Sequence, residues 1–264
     1  MEEHSARTTY GQRFVSLSPS LWRAEDARLA SPHGLKLAIH PRRVLYVLLG
    51  IIAALAFAST VAGALLYLFA WPEDSFAYEM VKLFWVDTEH NIPTLYQCMV
   101  MFAASALFFL LGEQYRRKPG APSAGWYVLG AAFTFLAWDE GAQIHEKVGF
   151  HFGTTFDGTW LYFYVPAAAA LLASLVPFLS RLPQRTRSLL LSSGMLYAAG
   201  AVGAELVGQL HAEAAGRTNA VYAALATIEE VLEMLGVAFL IFALLEHLGA
   251  VTRAPERTGR LTRS

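Results

Sequence analysis

Seven carboxylates interrupt the apolar stretches of this sequence: Asp139, Glu140, Glu146, Glu205, Glu229, Glu230 and Glu233, with His145 and His211 close by. No Lys or Arg lies within the same stretches. A charged side chain at the centre of a bilayer costs roughly 2.5–3.5 kcal/mol on insertion scales, so residues of this kind are rare in membrane spans and mark functional sites. Acids of one sign are harder still to hold together: they keep their protons or they share a cation. Carboxylates and imidazoles are the side chains that ligate zinc, iron or manganese. Clustered carboxyls with raised pKa values are equally the parts of a proton relay or coupled-ion site. The residue types therefore point to a divalent-metal site or to a protonated one.

Spacing supports convergence. At 100° per residue, Asp139, Gln143 and Glu146 share one helix face, with Glu140 and His145 flanking it. Glu205 and Gln209 share a face, and Glu229, Glu230 and Glu233 form one stripe that Gly236 continues. With about 1.5 Å of rise per residue, Asp139 and Glu205 each lie roughly 12 Å from the C-terminal ends of their helices and Glu229 about 16 Å from the start of its own, ends that share one membrane face. Just before Pro93, the run Asp87, Glu89, His90 and Asn91 suits the first turn of a helix, where Asp87 or Asn91 is a cap. Glu89 and His90 then form a lid or outer shell. The expected cation ligands are Asp139, Glu140, His145, Glu205, Glu229, Glu230 and Glu233, with Glu146 and His211 reaching the interface beside them. The spacings Glu140–His145 and Glu205–His211 do not reproduce the Glu-x-x-His pattern of ferritin-like bundles.

The elements that must position these residues are membrane spans. Hydrophobic residues make up 55% of the chain and the mean hydropathy is +0.40. Apolar stretches of about 20 residues run over Val44–Ala70, Ile92–Gly112, Ala124–Glu146, Trp160–Ser180, Ser188–His211 and Ala220–Glu246. The expected fold is an all-α polytopic membrane bundle of six transmembrane helices. Placing the N-terminus in the cytoplasm puts every Lys and Arg on that side except Lys82, Lys147 and Arg217, so both termini are expected to be cytoplasmic. The acidic site then faces the extracytoplasmic side of a cell membrane. Residues 1–43 read as a cytoplasmic arm, 44–248 as the transmembrane domain and 249–264 as a disordered cytoplasmic tail. The first apolar run is too long for a cleavable signal peptide. The single cysteine, Cys98, precludes an internal disulfide or a multi-cysteine zinc site.

The run Trp138-Asp139-Glu140-Gly141-Ala142-Gln143-Ile144-His145-Glu146 resembles a signature of uncharacterised prokaryotic multi-pass membrane proteins, in which an Asp-Glu pair precedes a His-Glu pair by four residues. Glu89-His90-Asn91-Ile92-Pro93-Thr94 and Glu229-Glu230 through Gly236 fit it as well. That resemblance brings no activity with it. Asp87 to Asn91 is also similar to the acidic entry motif of the alkaline ceramidase and adiponectin-receptor superfamily, which implies an intramembrane metal hydrolase. That superfamily has seven spans and a paired-histidine motif in its last helix, where this chain has glutamates.

The first functional expectation is a metal-dependent membrane enzyme acting on a lipid or small apolar substrate. Its rivals are a proton- or cation-coupled transporter, and a subunit whose acids pair with basic residues of a membrane-protein partner. Membrane lipids are expected partners. Basic residues confined to short loops indicate no nucleic-acid role.

Overall fold

The computed structural model describes residues 40–69, 71–88, 90–118, 120–151 and 157–261. Most of the N-terminal arm, and Glu89, lie outside the described residues. Helices are the only regular elements among those described: α1 (Pro41–Phe69), α2 (Phe76–Lys82), α3 (Ile92–Arg116), α4 (Ala124–Ala142), α5 (Ile144–His151), a 3₁₀ turn (Asp157–Trp160), α6 (Leu161–Ser180), α7 (Gln184–Ala198), a π-helical turn (Ala199–Ala204), α8 (Glu205–Ala215) and α9 (Ala220–Leu261).

Local chemistry sets the boundaries. The Ser75 hydroxyl accepts from the Tyr78 amide at 3.2 Å and caps α2. The Asn91 side chain accepts from the Thr94 amide at 2.8 Å and caps α3, with Pro93 in the first turn where no amide is needed. Asn91, not Asp87, is therefore the cap. Helix α9 continues through Leu261, into the segment for which composition predicts a disordered tail.

Five helical segments are long and apolar enough to cross a membrane: α1, α3, α6, the α7–α8 rod and α9. This is the architecture of a multi-pass membrane protein. The third stretch expected as a span is not among them. Its helix ends at Ala142 rather than Glu146, and Asp139 and Glu140 dilute its apolar content. It packs along α3 instead, where Ser105 Oγ donates to the Gly130 carbonyl (2.8 Å) and the Phe108 ring meets Phe133 and Trp126.

The centre of the fold is α9, which contacts α1, α3, α7 and α8. Met234, Val237, Ala238 and Leu244 on it are fully buried. At the end of the bundle that carries Arg116, Arg181 and Arg185, the His247 ring is buried between two hydroxyls. Its Nε2 lies 2.9 Å from Tyr115 Oη and its Nδ1 2.9 Å from Thr186 Oγ1, with the Trp126 ring stacked at 5.3 Å. Arg185 also reaches Glu246 at 2.8 Å. This basic end is where α3, α4, α7 and α9 are fastened together. Helix α6 is the least buried of the five spans, and a cavity separates it from α4, α7 and α9.

Candidate functional site

The acids gather at the opposite end, and two irregularities in the helices bring them there. The first is the break between α4 and α5. Gln143 takes a left-handed conformation (φ 54°), one of two such non-glycine residues among those described. The chain turns back, and the His145 amide donates to Asp139 Oδ1 at 3.0 Å while His145 Nδ1 sits 3.0 Å from Oδ2. Tyr164 of α6 donates its hydroxyl to Oδ1 at 2.7 Å. Asp139 is only 7% exposed, so these three partners satisfy a carboxylate that burial would otherwise penalise. The continuous helix expected through Glu146 is thereby corrected. Asp139, Gln143 and Glu146 do not share a face, because Gln143 ends the helix, and Glu146 is exposed at the cavity rim.

The second irregularity is the π-helical turn Ala199–Ala204, directly before Glu205. An inserted residue of this kind rotates everything after it and is frequent beside functional sites. Here it turns Glu205 toward α9, where its carboxyl is hydrogen-bonded to that of Glu229. Gln209 Nε2 donates to Glu205 Oε1 at 3.1 Å and Trp160 Nε1 at 3.4 Å. Two carboxyls in mutual contact must share a proton or a cation. The approach is possible because Gly200 has no side chain: a Cβ there would lie 2.7 Å from the Glu229 carbonyl oxygen. One turn further along, Gly236 plays the same part against the Tyr197 backbone, at 2.6 Å.

Glu233 faces Tyr197 and lies in the fields of Glu140 and Glu230. Asp87, in the loop between α2 and α3, faces Tyr222, Arg217 and Glu205. Burial is the largest influence on Asp87 and pushes its carboxyl up to about 6, against the pull of Tyr222 and Arg217 in the other direction. Arg217 reaches in from the loop between α8 and α9. Its Nη2 donates to Gln209 Oε1 at 3.1 Å, and its guanidinium lies 5.8 Å from the centre of the Tyr222 ring. A cation therefore does accompany the acids, supplied by a loop and not by a span.

All of this lines one cavity of about 550 Å³. Asp139, Glu140, His145 and Glu146 face it from α4 and α5, and Glu205, Glu229, Glu230 and Glu233 from α8 and α9. Away from the acids its wall is apolar, formed by residues such as Leu136, Leu171, Leu175, Leu190 and, nearest the basic end, Phe108 and Leu179. Trp160, Tyr164, Tyr197 and Tyr222 stand around the acidic end. The Trp160 ring packs 5.1 Å from His145 and 5.4 Å from Tyr164, edge-on to the latter.

Not every expected residue joins. His90 is exposed, has φ 59°, and does not line the cavity. His211 Nε2 is instead 2.9 Å from Asn219 Oδ1, fixing the turn into α9. The sequence did not single out Trp160, Tyr164, Tyr197 or Tyr222 for the site, and marked Arg217 only as an exception to the charge bias. The available signal was weak: Tyr197 is one of five hydroxyl-bearing residues in its helix, three residues before Gly200.

The acids are organised in pairs. Among the described residues, no three His, Cys, Asp or Glu side chains form a group suited to hold a metal ion. Asp139 is hydrogen-bonded to His145 and Tyr164, and Glu205 to Gln209, Trp160 and Glu229.

Comparison with curated proteins and with solved structures gives no match. Residues 44–248 match a family defined by a domain of unknown function. The chain, whose matched region contains the whole cavity and both helix irregularities, belongs to that family, DUF8692.

Proposed function

We propose that this protein is a multi-pass membrane protein that takes a lipid or other amphiphile from the bilayer, its chain in the apolar part of the cavity and its head among the acids. With α4, packed along α3, counted as a sixth crossing beside the five apolar spans, both termini are cytoplasmic in this reading, because the basic residues concentrate on one side, and the acidic chamber faces the extracytoplasmic side. The observation that carries it is a cavity with an apolar wall and an acidic, aromatic end. Its size falls within the roughly 300–1,000 Å³ range of small-molecule sites, and its mixture of apolar walls and few convergent polar groups is their usual chemistry.

The rival readings have less behind them. A transporter needs polar groups leading on toward the other membrane face, and the cavity wall toward the basic end is leucine and phenylalanine. Acids that pair with a partner's basic residues would face outward, whereas these face the cavity. For a metal-dependent enzyme, no group of three metal-ligating side chains among the described residues adds support.

The test is purification in lipid nanodiscs, followed by native mass spectrometry and parallel metal analysis. A bound amphiphile in stoichiometric amount, with substoichiometric zinc, iron and manganese, is the expected result. One metal ion per chain and no retained amphiphile would reverse the order of these readings.

A further inference from the structure

The dimensions and charge of the cavity narrow the class of its occupant. A cavity of about 550 Å³ lies in the size range of small-molecule sites and has room for one acyl or alkyl chain with a small head.

The head lies where carboxyls outnumber cations. Asp87, Glu140, Glu205, Glu229 and Glu233 face the chamber, with Arg217 beside them. In surroundings of low dielectric such an excess repels an anionic head and attracts a cationic one far more strongly than it would in water. The rings of Trp160, Tyr164, Tyr197 and Tyr222 present aromatic surface to the same space, and carboxylates combined with aromatic faces are the chemistry that recognises ammonium groups. Within the chamber Asp139 is satisfied by His145 and Tyr164. At the Glu205–Glu229 contact an ammonium group can take the place of the shared proton.

We infer that the cavity binds a single-chain cationic amphiphile, its ammonium head at Glu205 and Glu229 beside Trp160 and its chain along the leucine wall; this rests on the amphiphile reading above and names its ligand class. The wall offers a clean way to block the chain. Gly194 lines the cavity, and a Cβ added there meets no atom within 4 Å. Gly194→Leu therefore fills the bore without disturbing the helix.

The experiment uses the full chain in phosphatidylcholine nanodiscs and three probes of equal chain length: tetradecylamine, tetradecanol and tetradecanoate. Affinities are read by native mass spectrometry and by quenching of tryptophan fluorescence. The amine is expected to bind at least about tenfold more tightly than the alcohol, the margin of one charge-assisted contact, and the carboxylate more weakly than either. Glu205→Gln with Glu229→Gln removes the amine's margin and leaves the alcohol unchanged, whereas Gly194→Leu weakens amine and alcohol alike. Equal binding of amine and alcohol, or preference for the carboxylate, overturns the cationic head while leaving the amphiphile reading standing. Failure of all three probes to bind, with Gly194→Leu indistinguishable from wild type, removes both. The wild-type ranking of amine against alcohol decides the question even where the double variant does not fold.

Discussion

The close crossing of α7 and its π-helical turn on α9 makes a quantitative prediction, because two glycines three residues apart meet opposite surroundings. A Cβ at Gly200 would lie 2.7 Å from the Glu229 carbonyl oxygen, 2.9 Å from Glu233 Cγ and 3.0 Å from the Glu233 amide nitrogen, where ordinary contact begins at 3.4 Å. Two of those three atoms are backbone, so α9 itself must move by several tenths of an ångström. A Cβ at Gly203 would meet nothing within 4 Å. Replacing either by Ala confers the same gain in helical preference, up to about 1 kcal/mol, which cancels between the two variants. What remains is the overpacking cost of about 1–3 kcal/mol at Gly200 alone. Gly203→Ala should therefore be as stable as wild type or more so, and Gly200→Ala less stable than Gly203→Ala by about 1–3 kcal/mol. For a chain of this size that corresponds to roughly 2–10 °C in Tm. Equilibrium unfolding of the two variants in the same mixed micelles measures the difference directly. A gap below about 0.5 kcal/mol, the scatter of independent substitutions, would show that α7 and α9 do not cross at Gly200 and would refute the positioning of Glu205 against Glu229.

Asp87 supplies a pH dependence. Its folded-state carboxyl titrates near 6 against an ordinary 3.8, so the stability it confers is fully present below the ordinary value and is lost as pH rises through about 6. Asp87→Asn should flatten the unfolding free energy across that window and leave the protein more stable than wild type above it, as followed by unfolding at a series of pH values. At the basic end, His247→Leu leaves the hydroxyls of Tyr115 and Thr186 without their shared partner and is expected to cost about 2–3 kcal/mol; a loss under half of that, measured by the same unfolding assay, would mean the histidine is replaceable packing. Tyr164→Phe and Asp139→Asn remove one hydrogen-bonded unit. A double-mutant cycle on unfolding free energy should show a coupling of at least about 1 kcal/mol, and strict additivity would contradict the contact.

The acidic residues were legible as a group before any fold was known, because membrane spans make charge conspicuous: eight of the eleven positions singled out by residue type line one cavity. The capping of α3 just before Pro93 was equally readable, since Asn is a good cap and Pro is harmless in a first turn. Periodicity misled at Gln143. Ideal helical phase assigned a face to every residue up to Glu146, and nothing local announces that the helix stops at a left-handed Gln, whose conformation is held by the return of His145 onto Asp139. The π-helical turn is invisible for the same reason, as Ala199–Ala204 is an ordinary helix-compatible run of small residues.

Composition and pattern thus determined that this chain lives in a membrane, that it is helical, and which acidic side chains must turn away from lipid. These follow from the cost of exposing charge and backbone to hydrocarbon, a cost each segment incurs by itself. How the acids meet was decided only by tertiary structure. Pairing Asp139 with His145 and Tyr164, and Glu205 with Glu229, depends on a helix break, an inserted residue and two glycines that admit a neighbouring backbone. The same contacts brought Arg217 in from a loop and left an apolar cavity beneath the acids. Distances of this kind arise from packing between segments far apart in the chain, and no single segment encodes them.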